Sequence, residues 1–158
     1  MTKRNKKYRP KQVFIDPISW AISGATLLTQ NQKDDLFGMV RVELHNLSLG
    51  KLDRDGWNTL ANAMNIAEAL ASFNIANNLM SEITRAQDAL KSLALRMLKT
   101  GSSTCYAKEI GDIHEGCNIH KIQLDFCTQA ELSRAVAKVK EQHRNGTMQE
   151  MKKIFESL

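Results

Sequence analysis

Apolar residues recur at three- and four-residue steps through most of the chain, which is the spacing of one face of an α-helix. The longest run covers residues 75–97, and its apolar positions step by 4, 4, 3, 4, 3 and 4 residues: Ile75, Leu79, Ile83, Ala86, Leu90, Leu93 and Met97. Gly101 follows the run, and glycine commonly adopts the left-handed conformation that ends a helix. The pattern predicts a long helix from Ile75 to the residue before Gly101.

Two further helices are predicted before this run. Asp34 and Asp35 suit the positive N-terminal end of the first helix, and Gly50 suits the position after its last turn. The apolar face of the first helix consists of Leu36, Val40, Leu44 and Leu47. The stretch "MVRVELH" also alternates apolar and polar residues, so a strand is the alternative there. In the second helix Asp53 is the predicted N-cap. The apolar face of the second helix consists of Trp57, Leu60, Met64, Ala67 and Leu70.

Residues 107–126 predict a fourth helix after the Gly101 break. Its apolar side consists of Ile110, Ile113, Cys117 and Leu124. Gly111 and Gly116 interrupt this pattern, and a glycine inside a helix costs up to about 1 kcal/mol relative to alanine. Either another element packs closely over these glycines or the helix is bent.

Two capping boxes predict two more helices, because in each box a threonine and a glutamate satisfy each other's backbone amides. The first box is Thr128 with Glu131, and the second is Thr147 with Glu150. The apolar residues after the first box are Leu132, Ala135, Val136 and Val139. Those after the second box are Met151, Ile154, Phe155 and Leu158. With short links between them, these elements predict an all-α fold, a single-domain bundle of five or six mostly antiparallel helices with an extended basic N-terminal arm.

The first 32 residues lack the helical periodicity. Residues 1–12 are basic and polar, and we interpret them as a flexible tail. Residues 13–32 are apolar but irregular, and we interpret them as an arm that docks on the domain or on a partner through Phe14 and Trp20. Residues 33–158 form the helical domain in this division.

Charge is concentrated in the tail. The chain has 158 residues and a net charge of +5, yet "KRNKKYRPK" at residues 3–11 contributes +6, which leaves −1 for the rest. The candidate polyanion- or partner-binding residues are Lys3, Arg4, Lys6, Lys7, Tyr8, Arg9 and Lys11. The cations suit phosphate contacts with DNA or RNA, and the tyrosine suits stacking on a base. The alternatives are attraction to an acidic protein groove and a passive solubilising tail.

Composition narrows the cellular setting. The sequence has no run of the roughly 18 apolar residues that a membrane helix needs. The basic start is followed by "VFIDPISW" rather than by the long apolar stretch of a signal peptide. Cys105, Cys117 and Cys127 are odd in number, which favours reduced, mostly buried thiols. We therefore expect a cytoplasmic protein without a membrane partner.

One cluster invites a chemical interpretation. His114, Cys117 and His120 follow at three-residue steps, so neighbours lie about 60° apart on a helix and three of them converge on one ion only if the helix bends. Structural zinc sites usually combine ligand pairs from two elements, and this chain has no C-x2-C pair. It also has no nucleophile elbow, P-loop or dinucleotide motif. We expect a core cysteine with surface histidines and neither metal nor cofactor, and a Cys/His-dependent enzyme is the distant alternative.

At "KRNKKYRPK" with the following "DP", and again at "WNTLANAMNIAEAL", the chain resembles small uncharacterised helical proteins of bacteriophages and prophages. The resemblance implies a mobile-element origin and carries no catalytic residues. It also implies a non-enzymatic protein that binds a host or phage macromolecular complex, for example to inhibit a host defence nucleoprotein such as a CRISPR effector. A nucleic-acid-binding accessory or regulatory protein is the alternative function, and self-association as a homodimer is a further expectation for partners.

Overall fold

The structure is a computed structural model that describes residues 24–145. The described residues form the five α-helices α1 (Gln30–Ser48), α2 (Arg54–Ser72), α3 (Met80–Thr100), α4 (Ala107–Phe126) and α5 (Gln129–Arg144). These helices confirm the predicted all-α class. The basic tail, the arm residues Phe14 and Trp20, and the helix predicted after Thr147 lie outside the described residues.

Helix α1 begins earlier than its acidic residues suggested. Thr29 is the N-cap, and its hydroxyl accepts a hydrogen bond from the Gln32 amide while the Gln32 side chain accepts one from the Thr29 amide at 2.9 Å. A capping box with glutamine was overlooked in the sequence, so residues 30–32 belong to α1 rather than to the predicted arm. The strand alternative for "MVRVELH" is wrong, because all seven residues lie within α1.

The end of α1 follows the prediction for Gly50. Gly50 has a φ of +67°, and its amide donates to the Leu47 carbonyl, while the Lys51 amide donates to the Asn46 carbonyl. This pair of bonds is a Schellman motif, which satisfies carbonyl groups that the helix leaves free. Asp53 then caps α2 as predicted, with its carboxylate 2.7 Å from the Gly56 amide.

Helix α3 begins at Met80 and not at the predicted Ile75. Asn74 and Ala76 have φ values of +66° and +57°, so the backbone between α2 and α3 leaves the right-handed helical region twice. The Ile75 amide donates to the Leu70 carbonyl, which ends α2 with a second Schellman motif. A short 3₁₀ turn, Asn77–Leu79, leads into α3. Ile75 and Leu79 still pack on the core, which explains why the apolar spacing continued through the break.

Helix α2 lies at the centre of the bundle and packs against each of the other four helices. Its predicted apolar face is buried throughout: Trp57, Leu60, Met64, Ala67 and Leu70. The indole N–H of Trp57 donates to the Leu90 carbonyl of α3 at 2.8 Å, so the largest core side chain is also fixed in orientation. A smaller cluster joins α5 to α2 through residues such as Ala135 and Val139.

The two glycines of α4 have different explanations. A Cβ on Gly116 would lie 2.5 Å from the Cβ of Ala86 and 2.7 Å from the Sδ of Met64, so α4 approaches α3 and α2 too closely for a side chain there. A Cβ on Gly111 would meet nothing within 4 Å. The expectation of close packing is therefore confirmed for Gly116 alone.

Candidate functional site

Electrostatics separate the described body from the basic tail. Of the 22 lysines and arginines, six lie in residues 3–11 and two at residues 152–153, which leaves fourteen in residues 24–145. Of the 17 acidic residues, three lie outside that range, which also leaves fourteen. The described body is therefore neutral in formal charge, and the tail residues lie outside the described part.

The cluster of His114, Cys117 and His120 does not form a shared site. Cys117 is fully buried, and burial raises the pKa of its thiol to about 12, so the thiol is protonated at neutral pH. The His114 Nε2 atom lies 3.3 Å from the hydroxyl of Ser48 on α1. Within residues 24–145 no group of three His, Cys, Asp or Glu side chains is placed to hold a metal ion.

The expectation that both histidines lie at the surface is wrong for His120. Its side chain is on the inner face of α4 and only 5% of the residue is exposed. Burial lowers the pKa of His120 to about 4, and the nearby Gln123 side chain partly opposes that shift. The ring is therefore neutral at physiological pH and lies in the core of the bundle.

Gln123 is a second buried polar residue that the sequence gave no reason to single out. Its side-chain amide donates to the carbonyls of Ala67 and Ile75 at 3.0 and 2.9 Å. Ala67 lies within α2, and Ile75 lies in the link between α2 and α3. Gln123 thereby joins α4 to the link between α2 and α3, which is a structural task.

An ion pair fixes the connection between α3 and α4. The guanidinium of Arg96 makes two hydrogen bonds with the Glu109 carboxylate, at 2.8 and 2.9 Å, and one with the Thr104 carbonyl. These hydrogen bonds hold the pKa of Glu109 below its usual value. The exposed ring of Tyr106 stacks on Arg96 with the guanidinium carbon 4.4 Å from the ring centroid. The charges of Arg96 and Glu109 pair with each other, and Arg96 also binds the Thr104 carbonyl, so the arrangement stabilises the loop between α3 and α4.

The surface feature that stands out is on α1. Leu36, Met39 and Val42 are 45%, 66% and 56% exposed, and they follow at three-residue steps along one side of the helix. We call these three residues the α1 apolar face. Leu36 was predicted to be in the core, but Phe37 takes that position and Leu36 turns outward. Helical spacing was the available signal, since at 100° per residue Val42 lies about 160° around the helix from the buried Val40 and Leu44, and Met39 lies about 100–140° from them.

Two clefts lie along one flank of α5. The first, about 350 Å³, lies between α1 and α5 and includes Leu36 and Leu132 in its walls. The second, about 340 Å³, lies between α2 and α5 and is lined by Ile66, Val136 and Val139, with Lys140 and His143 at its polar side. These clefts extend the apolar surface from the α1 apolar face to the C-terminal end of α5.

Comparison of the chain with protein-family models, with curated proteins and with solved structures finds no match. Among the described residues, no helix combines the length and the apolar character that crossing a membrane requires. The candidate site is therefore defined by the α1 apolar face and the two clefts alone.

Proposed function

We propose that this chain is a non-enzymatic binding protein that engages a macromolecular target through the α1 apolar face. The observation that carries this proposal is the exposure of Leu36, Met39 and Val42 side by side on one helix. Single exposed apolar residues are ordinary, but a row of them on one helix side is typical of a surface that another macromolecule covers.

The buried thiol chemistry supports binding over catalysis. A cysteine nucleophile acts as a thiolate, and a fully buried thiol with a pKa of about 12 supplies almost none at neutral pH. The half-buried Cys105 also has a raised pKa, about 11, because of burial. The Cys/His-dependent enzyme remains the least supported of the three functions.

The charge distribution gives the tail and the body different tasks. Residues 3–11 carry +6 whereas the described body is neutral, so long-range attraction to an acidic surface comes from the tail. The apolar face then supplies short-range contacts that depend on shape. A nucleoprotein offers both an acidic surface and a protein surface. Within this proposal the target is a host or phage complex, and a host defence nucleoprotein such as a CRISPR effector is the form that the phage-type resemblance implies.

The experiment compares matched variants in a pull-down from host lysate. The test variant is Met39→Lys with Val42→Lys, and the control is Ser92→Lys with Asn118→Lys, which adds the same charge at exposed positions on α3 and α4. We expect the tagged full-length protein and the control to retain one defined complex and the test variant to lose it. Burial of two such side chains makes a loss of about 10- to 100-fold in affinity reasonable. Equal recovery by all three proteins, or no specific recovery by any, would refute the proposal.

The second candidate function is nucleic-acid binding through residues 3–11, and the observation that favours it is the density of cations around Tyr8. If all six cations contact phosphates of duplex DNA, the logarithm of the binding constant falls with the logarithm of salt with a slope of about −5. A gel-shift titration across salt compares the full-length protein with a variant lacking residues 2–11. Binding by the full-length protein alone supports this function, and absence of binding by both proteins at low salt excludes it.

A further inference from the structure

The two clefts beside α5 are nearly equal in size and differ in charge. The first, about 350 Å³, has Asp35 as the single charged side chain among the described residues that line it. The second, about 340 Å³, has Lys140 and His143 in its described lining and no acidic residue. A carboxylate in a wall repels an anionic ligand, whereas a lysine attracts one. The second cleft is therefore the one that suits an anion.

The helices that form the second cleft, α2 and α5, run antiparallel. At the C-terminal end of α2, the Phe73 ring centroid lies 4.6 Å from the guanidinium carbon of Arg134 and 5.5 Å from the Nζ of Lys138. The Lys138 ammonium also donates to the Ser72 hydroxyl at 2.8 Å. The end of α2 thus packs against residues 134–138, and the middle of α2 packs against residues 136–143.

This direction brings apolar and polar side chains to opposite ends of the second cleft. Its apolar residues are Ile66, Val136 and Val139, and its polar residues are Asn62, Lys140 and His143. On α2 the polar residue lies one turn before the apolar one, and on α5 the polar residues lie one turn after the apolar ones. In an antiparallel pair these polar residues meet at one end, so the cleft is itself amphipathic.

We propose that the second cleft binds an aliphatic carboxylate, with the hydrocarbon chain at the apolar end and the carboxylate on the Lys140 ammonium. The side-chain amide of Asn62 supplies a further donor at the polar end. A site with apolar walls and a few convergent polar groups is typical of those that hold small molecules. The cleft includes none of the residues of the α1 apolar face, and the ligand site does not depend on the proposed function.

The Lys140 ammonium is available to a ligand carboxylate. None of the ion pairs between described residues involves Lys140. The positions three and four residues away on α5 hold no acid: Val136, Ala137, His143 and Arg144. Glu141, the next residue, projects from α5 about 100° away. A ligand carboxylate would therefore pair with Lys140 without displacing an ion pair between described residues.

The dimensions of the second cleft suit a short chain. Seven residues of α5 separate Val136 from His143, which is about 10 Å at 1.5 Å per residue. An extended chain advances roughly 1.2 Å per bond, so about eight carbons match that length. The cleft volume also lies near the lower end of the range for small-molecule sites. Octanoate is the matching probe.

A methyl NMR titration of the full-length protein with octanoate tests the site. We expect saturable shifts at Ile66, Val136 and Val139 and unchanged signals from the core residue Ile113. Octan-1-ol, which has the same chain without the charge, is expected to bind about fivefold more weakly. Equal binding of the two probes, or no saturable shift at the three cleft residues, would overturn the proposal. Shifts that depend on protein concentration without any probe would also overturn it, because they would place a second copy in the cleft.

Matched variants separate the contribution of the charge from that of the chain contacts. Lys140→Gln is expected to weaken octanoate binding about fivefold and to leave octan-1-ol binding unchanged, whereas the control Lys91→Gln on α3 behaves as the wild type. Val136→Phe fills the apolar end and is expected to weaken both probes about tenfold, whereas Ala137→Phe, at an exposed neighbouring position, leaves them unchanged. Wild-type octanoate affinity in either cleft variant would overturn the proposal.

Discussion

Acidification below pH 6.5 is expected to destabilise this protein through His120. The ring is 5% exposed on the inner face of α4, and its pKa in the folded chain is about 4 against 6.5 for a free histidine. Above pH 6.5 the ring is neutral in both the folded and the unfolded chain. As the pH falls below that value, the unfolded chain takes up a proton that the folded chain cannot accept, so the free energy of unfolding decreases.

The magnitude follows from the size of the shift. One pKa unit corresponds to 1.36 kcal/mol, so the full shift to about 4 is worth about 3 kcal/mol, of which about 2 kcal/mol is lost by pH 5. Glu82 and Glu109 have pKa values below 4.5, because hydrogen bonds to Ser81 and to Arg96, respectively, favour their charged forms. Their contributions are retained until the pH falls below that value, which leaves the range from about pH 6.5 to 4.5 to His120.

Urea denaturation between about pH 7 and pH 5 measures this loss. His120→Gln removes the titrating ring, and the matched control His45→Gln removes an exposed histidine of α1. We expect the free energy of unfolding of the wild type and of the control to fall by about 2 kcal/mol over this range, and that of the His120 variant to stay flat. Proton NMR of the wild-type imidazole gives an independent value. Parallel unfolding curves for all three proteins, or a His120 ring that titrates near pH 6.5, would refute the reasoning.

Two further predictions concern the core. Gly116→Ala is expected to lower the free energy of unfolding by about 1–2 kcal/mol, because the added methyl collides with Ala86 and Met64. Gly111→Ala, whose added methyl meets open space, is expected to raise the free energy of unfolding by up to about 1 kcal/mol. Thermal and urea unfolding of both variants measure these changes, and equal effects of the two substitutions would contradict the prediction. The Cys117 thiol is expected to resist alkylation at neutral pH until the protein unfolds, because it is buried and protonated; rapid labelling of native protein, followed by mass spectrometry, would show that the site is accessible after all.

The sequence predicted those parts of the fold that depend on local signals. Residues 107–126 were predicted as a helix and α4 spans Ala107–Phe126, because the Gly101 break before it and the capping box of Thr128 and Glu131 after it mark its two ends. The start of α3 was missed, because Ile75 and Leu79 keep the apolar spacing although Asn74 and Ala76, on either side of Ile75, have positive φ and interrupt the helix. Apolar spacing records which residues are buried, and it does not record whether the backbone between them is helical.

The candidate site was harder to predict from the sequence, since the exposure of a side chain depends on what packs against each side of its helix. Leu36 and Phe37 are both apolar neighbours on α1, and only the position of α4 and α2 decides that Phe37 is buried. His120 was assigned to the surface from its residue type, although its spacing from Cys117 placed it near the inner face. For His120 the residue type favoured the surface and the helical position favoured the core, and the structure agrees with the helical position.

The central location of α2 has a consequence for how the bundle comes apart. Each of the other four helices packs on α2, so the loss of any one of them uncovers part of the same buried surface. Unfolding of α2 would expose both hydrophobic clusters, because α2 contributes residues to each of them. Residues 24–145 are therefore expected to melt as one cooperative unit rather than as separable helix pairs.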